Sequence, residues 1–431
     1  MKKIYLLFFL CFAIFGCNST NTDEHLNINS ESINLIGNSL EVFKVINLSD
    51  RPIGWANSQN SPKNYGGYSS NNSGKIYDNV DSYEKLKQAL SETVERRIIF
   101  ITNAIDLNAG KTPYDYIVNC GYGDKYSSYE DYKQKFAQTC VKDSKSELHD
   151  VQQNLFNAQK RQVRINIPSN TTIIGKNSQA AILNGEINIT NKENIVIRNL
   201  KIWNAEDYFP LWYQSKENNF NSVYDNITID NSKWIWIDHC TIGEDSYEYD
   251  KVTTPVGELD WVTYDGAIDI GRGSQFVTIS WCEFNNHDKT MLIGYGPEYT
   301  EDEGKLQVTV HHNFFNNCKS RLPLVRYGTV HVYNNLYDCI DRNKSGFCVG
   351  AGYKSNIYAE KNVIKNCKYG FRTEKLSSGN NIAGLIYLED NIDNSTYWDE
   401  TKKAVSQKIT WNPKSSYEYY CDEVSVIMNI K

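Results

Sequence analysis

Val310-His-His-Asn-Phe-Phe315, Val332-Tyr-Asn-Asn-Leu-Tyr337 and Ala359-Glu-Lys-Asn-Val-Ile364 are variants of one pattern. An apolar residue enters, a polar or small residue turns the chain, and apolar residues follow. The same form stands upstream in Ile197-Arg-Asn-Leu-Lys-Ile202, Ile237-Asp-His-Cys-Thr-Ile242 and Ile279-Ser-Trp-Cys-Glu-Phe284. Fourth positions Asn313, Asn335 and Asn362 fall 22 and 27 residues apart, with longer intervals where loops are inserted. A period near 22 built of short β-branched strands predicts an all-β solenoid, a right-handed parallel β-helix with one repeat per coil. Stacked coils put equivalent residues one strand spacing apart, so Asn313, Asn335 and Asn362 are expected to form an amide ladder, with Cys240 and Cys282 as neighbours in the same column.

The 431 residues include 30 Tyr, 16 Phe and 9 Trp against 3 Met, a balance that favours strands, with Asn supplying the turns. Ordinary fractions of hydrophobic (40%) and charged (23%) residues exclude a disordered, collagen-like or polytopic membrane chain. With 45 basic and 52 acidic side chains the net charge is −7, which gives no basic footprint for nucleic acid. A polyanionic partner would have to be met by a local cationic site or a bound metal.

Lys2 and Lys3 precede the apolar run Ile4 to Gly16, the pattern of an export signal rather than a spanning helix. Gly16-Cys17 at the boundary resembles a lipobox, so residues 1–16 are read as the signal and 17–45 as a polar tether with Cys17 carrying a lipid anchor. The expectation is an exported, monomeric lipoprotein at the bacterial cell surface or in the periplasm, the alternative being a secreted soluble protein. Setting aside Cys11 and Cys17, nine cysteines remain, an odd number that allows up to four disulfides and a free thiol, and no CxxC motif points to structural zinc.

The solenoid domain is expected over 46–431, with two segments outside the repeat. Residues 81–97 carry Leu86, Ala89, Leu90 and Val94 at helical spacing and predict a helix over the open amino-terminal end. The charged stretch 120–163 predicts a helical insertion, with Cys120 and Cys140 as a local staple.

Polar groups concentrate between Asp225 and Arg326. In Tyr264-Asp-Gly-Ala-Ile-Asp-Ile270, Asp265 and Asp269 share one face of an extended chain, and Asp225 lies one coil earlier. Carboxylates on a rigid face suit a hard cation such as Ca²⁺. Lys289, Arg321 and Arg326 follow coil by coil, so metal and cationic sites would line one groove fit for an acidic polymer.

WIDHCTI (236–242), DGAIDIGRGSQFVTIS (265–280), HDKTMLIG (287–294), VTVHHNFF (308–315) and RLPLVRYGTVHVYNN (321–335) resemble the signature blocks of the polysaccharide lyase family 1 pectate lyases. The likeness extends upstream through PIGWA (52–56), RINIPSNTTIIG (164–175) and VIRNLKI (196–202). The resemblance implies a parallel β-helix enzyme that cleaves α-1,4-linked polygalacturonate by Ca²⁺-dependent β-elimination. It implies Asp225, Asp265 and Asp269 as calcium ligands, Lys289 and Arg326 as binders of the substrate carboxylate, and Arg321 as the catalytic base. A guanidinium is ordinarily protonated, so that last role requires a depressed pKa and an alkaline optimum, with hydroxide as the competing base.

Val223 departs from relatives with a further Asp there, and Phe220-Asn221-Ser222 replaces their Trp-Asn-Ser block. Five of seven histidines, His239, His287, His311, His312 and His331, crowd the same region. Stacking or turn hydrogen bonding is the preferred reading over zinc, with His311 and His312 facing opposite ways along a strand. Tyr208, Trp212 and Tyr295 are candidate sugar platforms, although ordinary burial accounts for most aromatics. Three other functions compete. A pectin lyase acting on methyl-esterified chains should lack the aspartate set. A glycoside hydrolase needs a carboxylate pair and leaves Lys289 and the arginines unexplained. A non-catalytic pectin-binding module would tolerate loss of Arg321.

Overall fold

The computed structural model describes residues 47–429 apart from 59–60, 71–73, 143–146, 214–218, 247, 340–345, 375–382, 398, 400 and 402. The signal and the tether lie outside these residues. Each coil contributes one strand to each of three parallel sheets. Ile227–Asp230 belongs to sheet I, Lys233–Asp238 to sheet II and Thr241–Gly243 to sheet III, before Gly266–Gly271 starts the next coil in sheet I. Among the described residues the three sheets hold eight, ten and nine strands respectively. The chain is therefore the right-handed parallel β-helix expected from the repeat.

Stacked side chains build the core. The sheet II column Ile99, Ile173, Ile197, Ile237, Ile279, Val310, Val332 and Ala359 runs in register and is fully buried. In sheet III, Phe284, Phe315 and Tyr337 stack face to face at 4.8 and 4.9 Å. A one-residue slip would expose every member of such a column, which is why the register is so strongly specified.

Between sheets II and III the chain turns through a left-handed residue. Asn199, His239, Trp281, His312, Asn334, Lys361 and Asp390 all have φ between 49° and 54°. The next position carries the ladder. Asn313 donates from both its backbone N and its Nδ2 to Asn335 Oδ1 at 3.0 Å, Asn335 does the same to Asn362, and Asn362 to Asn391. Each Nδ2 also donates to a carbonyl of the sheet II column: Ile279, Val310 and Val332 for Asn313, Asn335 and Asn362. Cys240 and Cys282 fill the same column as thiols, and their Sγ atoms donate to Ile197 O and Ile237 O, the equivalent carbonyls. Cys339 and Cys367 form a disulfide.

The amino-terminal end is closed by α1 (Tyr83–Ser91), which buries Leu86 and Ala89 against Val80 and Ile99. The helix is shorter than the expected 81–97 because Arg97 opens the next strand. Its buried guanidinium receives the last helical carbonyls, donating to Ala89 O, Leu90 O and Glu92 O. The helical segment starts earlier than expected, with α2 (Pro113–Asn119), and the expected insertion, 120–163, contains two helices, α3 (Tyr129–Lys142) and α4 (Leu148–Val163). Their aromatic faces pack Tyr132 and Phe136 against Phe209 and Trp261. Cys120 ends α2 as a thiol while Cys140 is buried on α3, so the Cys120–Cys140 staple does not form. A hairpin, Asp250–Thr254 and Gly257–Trp261, extends the loop between sheets III and I and adds to a four-stranded side sheet.

Candidate active site

The strands of sheet I and the segments flanking them carry the six residues singled out from the sequence. Asp269 pairs with Thr228 one coil below and Leu292 one coil above. Gly266 pairs with Lys289, which bridges to Ser320, so Lys289 and Arg321 rise in successive coils above the aspartates. Asp225 enters the same coil as Thr228, and its Oδ1 accepts from Gly266 N at 2.8 Å.

Gly266 is what lets two carboxylates meet. A Cβ at this position would lie 2.6 Å from Asp269 Oδ1 and 2.7 Å from Asp225 Oδ1, so any side chain there would occupy the space on which both oxygens converge. Asp225 and Asp269 are 7% and 8% exposed. Burial raises both carboxyls well above the carboxylate range, and charge repulsion adds to it, from Asp269 and Asp265 on Asp225 and from Asp265 on Asp269. Arg321 and Lys289 pull Asp269 back down, which places both cations electrically beside it. Glu186, fully buried one coil further down, shares Thr228 Oγ1 with Asp225 at 2.6 and 2.9 Å and is itself raised by burial. Arg164 pairs with Glu186 at 2.6 Å and neutralises that lowest carboxylate.

Asp265 is paired with a cation. Lys289 Nζ donates to Asp265 Oδ1 at 2.6 Å and to Asn221 Oδ1 at 2.9 Å. Among the described residues the three aspartates therefore do not form a group whose oxygens all lie within 4.8 Å. The donor set is nonetheless one of hard oxygens carrying more buried negative charge than its protein neighbours neutralise, which fits a divalent cation such as Ca²⁺.

Arg321 takes φ +61°, rare for a residue with a side chain. The conformation is held on both sides: Met291 N donates to Arg321 O and Leu322 N to Cys348 O, both at 2.7 Å. Strained backbone of this kind is found where a side chain must be aimed. Arg321 and Arg326 line an open cleft of about 150 Å³ together with Phe347, Gly350 and Arg372. Arg326 is engaged rather than free, its Nε and Nη2 donating to the two oxygens of Glu374 at 3.0 and 2.7 Å.

The histidines serve the scaffold. His239, Trp281 and His312 stack along the turn column at 5.9 and 4.3 Å. His312 adopts the left-handed turn conformation, so His311 and His312 do not face opposite ways as alternation along a strand predicts; their Nδ1 atoms lie 2.8 Å apart. Burial pushes His287 down to about 3 while its Nε2 meets Asn226 Oδ1 at 2.9 Å, tying the segment before Lys289 to the residue after Asp225. Among the described residues the only tight group of metal-ligating type is Cys339, Cys348 and Cys367, two of which form the disulfide. Tyr208 is buried in the core, and the Tyr295 hydroxyl donates to Asp230 beneath the site. Trp212 packs on Phe220 at 4.8 Å.

Residues missed in the sequence are Gly266, Glu186, Asn221 and the Arg372/Glu374 pair of positions. Glu186 was findable: GEINIT (185–190) repeats the form of DNITID (225–230) one coil earlier.

A pectate lyase family model matches residues 139–428. The pectate lyase of Bacillus subtilis is 32% identical over 357 residues, covering 80% of this chain and 84% of that protein. Pectate lyase D of Dickeya chrysanthemi is 35% identical over 303 residues, covering 69% and 66%. Among solved structures, a mutant of the Bacillus subtilis pectate lyase superposes with a TM-score of 0.71 at 27% identity, covering 89% of this chain and 96% of its own. A pectate lyase bound to a hexasaccharide superposes at 0.69 and 26% identity, with the same coverage. With the coil register, the aspartate face and the cations above it all on one sheet, the chain belongs to the pectate lyases of polysaccharide lyase family 1.

Proposed function

We propose that this enzyme cleaves polygalacturonate by calcium-dependent β-elimination. The observation that carries the proposal is the convergence of Asp225 and Asp269 over Gly266, an under-neutralised buried negative site directly below a Lys and two Arg. Asp225, Asp265 and Asp269 would hold the ion, with Asp265 exchanging its partner Lys289 for it. Ca²⁺ bound there supplies a positive charge that screens the uronate carboxylate and acidifies the C5 proton.

The chain's own residues do the rest. Lys289, released from Asp265, and the fork of Arg326 bind uronate carboxylates, the planar guanidinium fixing orientation as well as charge. Arg321, aimed into the cleft by its left-handed backbone, is proposed to receive the C5 proton as the neutral guanidine and then to return it to solvent. The C5–H electron pair becomes the C4–C5 double bond as the C4–O bond breaks, and the leaving oxygen takes a proton from solvent. Family membership and the hexasaccharide complex of a relative support this reading. His239 and His312 stack on Trp281 in the turn column and His287 is held against Asn226, so none of these rings lines the cleft.

The test is ultraviolet absorbance of the conjugated double bond on polygalacturonate. Calcium-dependent absorbance that chelator abolishes is expected, and equal activity with chelator would sink the calcium assignment. Faster turnover of highly methylated pectin would reassign the enzyme as a pectin lyase. We further propose that Cys17 anchors the exported protein to a membrane. Radiolabelled palmitate should label the wild type and not Cys17→Ala.

A further inference from the structure

Arg326 and Glu374 stand two coils apart in one column of sheet I, and the coil between them presents Gly352. Successive backbone bonds, Gly352 N to Val325 O at 2.8 Å and Glu374 N to Ala351 O at 2.9 Å, fix that order. A Cβ on Gly352 would lie 2.7 Å from Glu374 Oε2 and 2.9 Å from Arg326 Cγ. The missing side chain is therefore the gap through which the two side chains reach each other. The contact is a two-point guanidinium–carboxylate pair, and its side chains keep 15% and 21% exposure, so solvent and solutes reach it.

We propose that Glu374 is a built-in substitute for a substrate uronate, occupying the Arg326 fork until a galacturonate carboxylate displaces it. This rests on Arg326 binding substrate, as argued above. The chemistry is a like-for-like exchange, one carboxylate for another on the same planar donor, so an ester group that lacks the charge cannot compete. Arg372 is the place for Glu374 to go. It lies two residues earlier on the same strand face, lines the same cleft, and its guanidinium rests over the Phe347 ring at 4.9 Å.

The prediction follows from population arithmetic: binding to a site that is open only part of the time is weakened by the open fraction. For a part-exposed bidentate pair, Glu374→Gln should lower KM for polygalacturonate about fivefold and raise kcat/KM in proportion. If Glu374 merely orients Arg326, Glu374→Gln lowers kcat/KM, and the proposal is overturned. Glu374→Ala gives the same reading without the new amide. Arg372→Gln is expected to raise KM in the wild type but to have little effect in the Glu374→Gln background. An equal rise in both backgrounds would show that Arg372 binds substrate directly and would remove it as the acceptor for Glu374. Wild-type protein that cleaves no polygalacturonate would instead overturn the functional reading beneath this one.

Discussion

The two long edges of the solenoid stack polar residues in the same way and to opposite ends. At the turn between sheets II and III, Asn313, Asn335, Asn362 and Asn391 satisfy one another, each amide donating to the next oxygen and to a core carbonyl. On sheet I, Asp225 and Asp269 converge over Gly266, and burial raises both rather than settling them. A neutral side chain with donor and acceptor closes its own ladder. A charged acceptor repeated at the same spacing stays open toward an external cation.

The contrast breaks most visibly at Arg321. Arg321→Ala should lower kcat/KM by about 10³ or more with little change in melting temperature, since a positioned proton acceptor next to stabilised charge is worth at least that much. Arg321→Lys that keeps near-full turnover at alkaline pH would remove the base assignment. Next in size, Asp269→Asn should abolish calcium dependence and cut activity about a hundredfold while stabilising the metal-free protein by about 1–2 kcal/mol, because a repelled buried charge is lost. A metal-free Asp269→Asn protein that melts lower would show the aspartates to be a satisfied structural set.

Asn335→Leu tests the other edge. It strands both donors of Asn313, leaves Asn362 Oδ1 with only the backbone N of residue 335, and should cost about 2–4 kcal/mol in chemical denaturation, with the calcium affinity of the folded fraction retained. The smallest effect is that of pH. Burial raises Asp225 and Asp269 in the folded protein, so the stability of the metal-free protein is full in acid, below the unfolded carboxylate range. It is lost as pH rises through the raised values, about 7 for Asp269. Calcium requires the ionised forms, so its affinity moves oppositely and should weaken as pH falls below about 7. Calorimetric titration at acid and alkaline pH checks the sign, and tighter binding in acid would contradict it.

The legible parts of the molecule are those where one residue type repeats in one column. The Asn ladder and the Cys240/Cys282 neighbours could be read from spacing because every coil returns to the same turn with no change of length. The aspartates and cations were legible through their order along sheet I and the resemblance of their motifs. Glu374 was not, since it follows a coil-to-coil connection of variable length, and sequence distance then says nothing about its height above Arg326. Gly266 was quoted without its use being visible, for a missing side chain leaves no chemical signature. The end of α1 was overestimated because Arg97 looks like helix-forming charge in the sequence, whereas it binds the helix carbonyls from the next strand. His312 defied alternation because its backbone is left-handed.

The fixed turn between sheets II and III has a further consequence for how such a molecule can diversify. An extra residue there would shift the ladder and every core column after it, so that edge tolerates no change in length. The connection from sheet III back to sheet I carries no such ladder, and it already accommodates the hairpin of Asp250–Thr254 and Gly257–Trp261. New loops fit at that edge, which opens onto Asp265, Lys289 and Arg321, and the connection from sheet I to sheet II lengthens too, as it does around Thr300–Asp302. The solenoid can thus vary its loops around the site where a polymer is gripped, and leaves the reading frame of its core untouched.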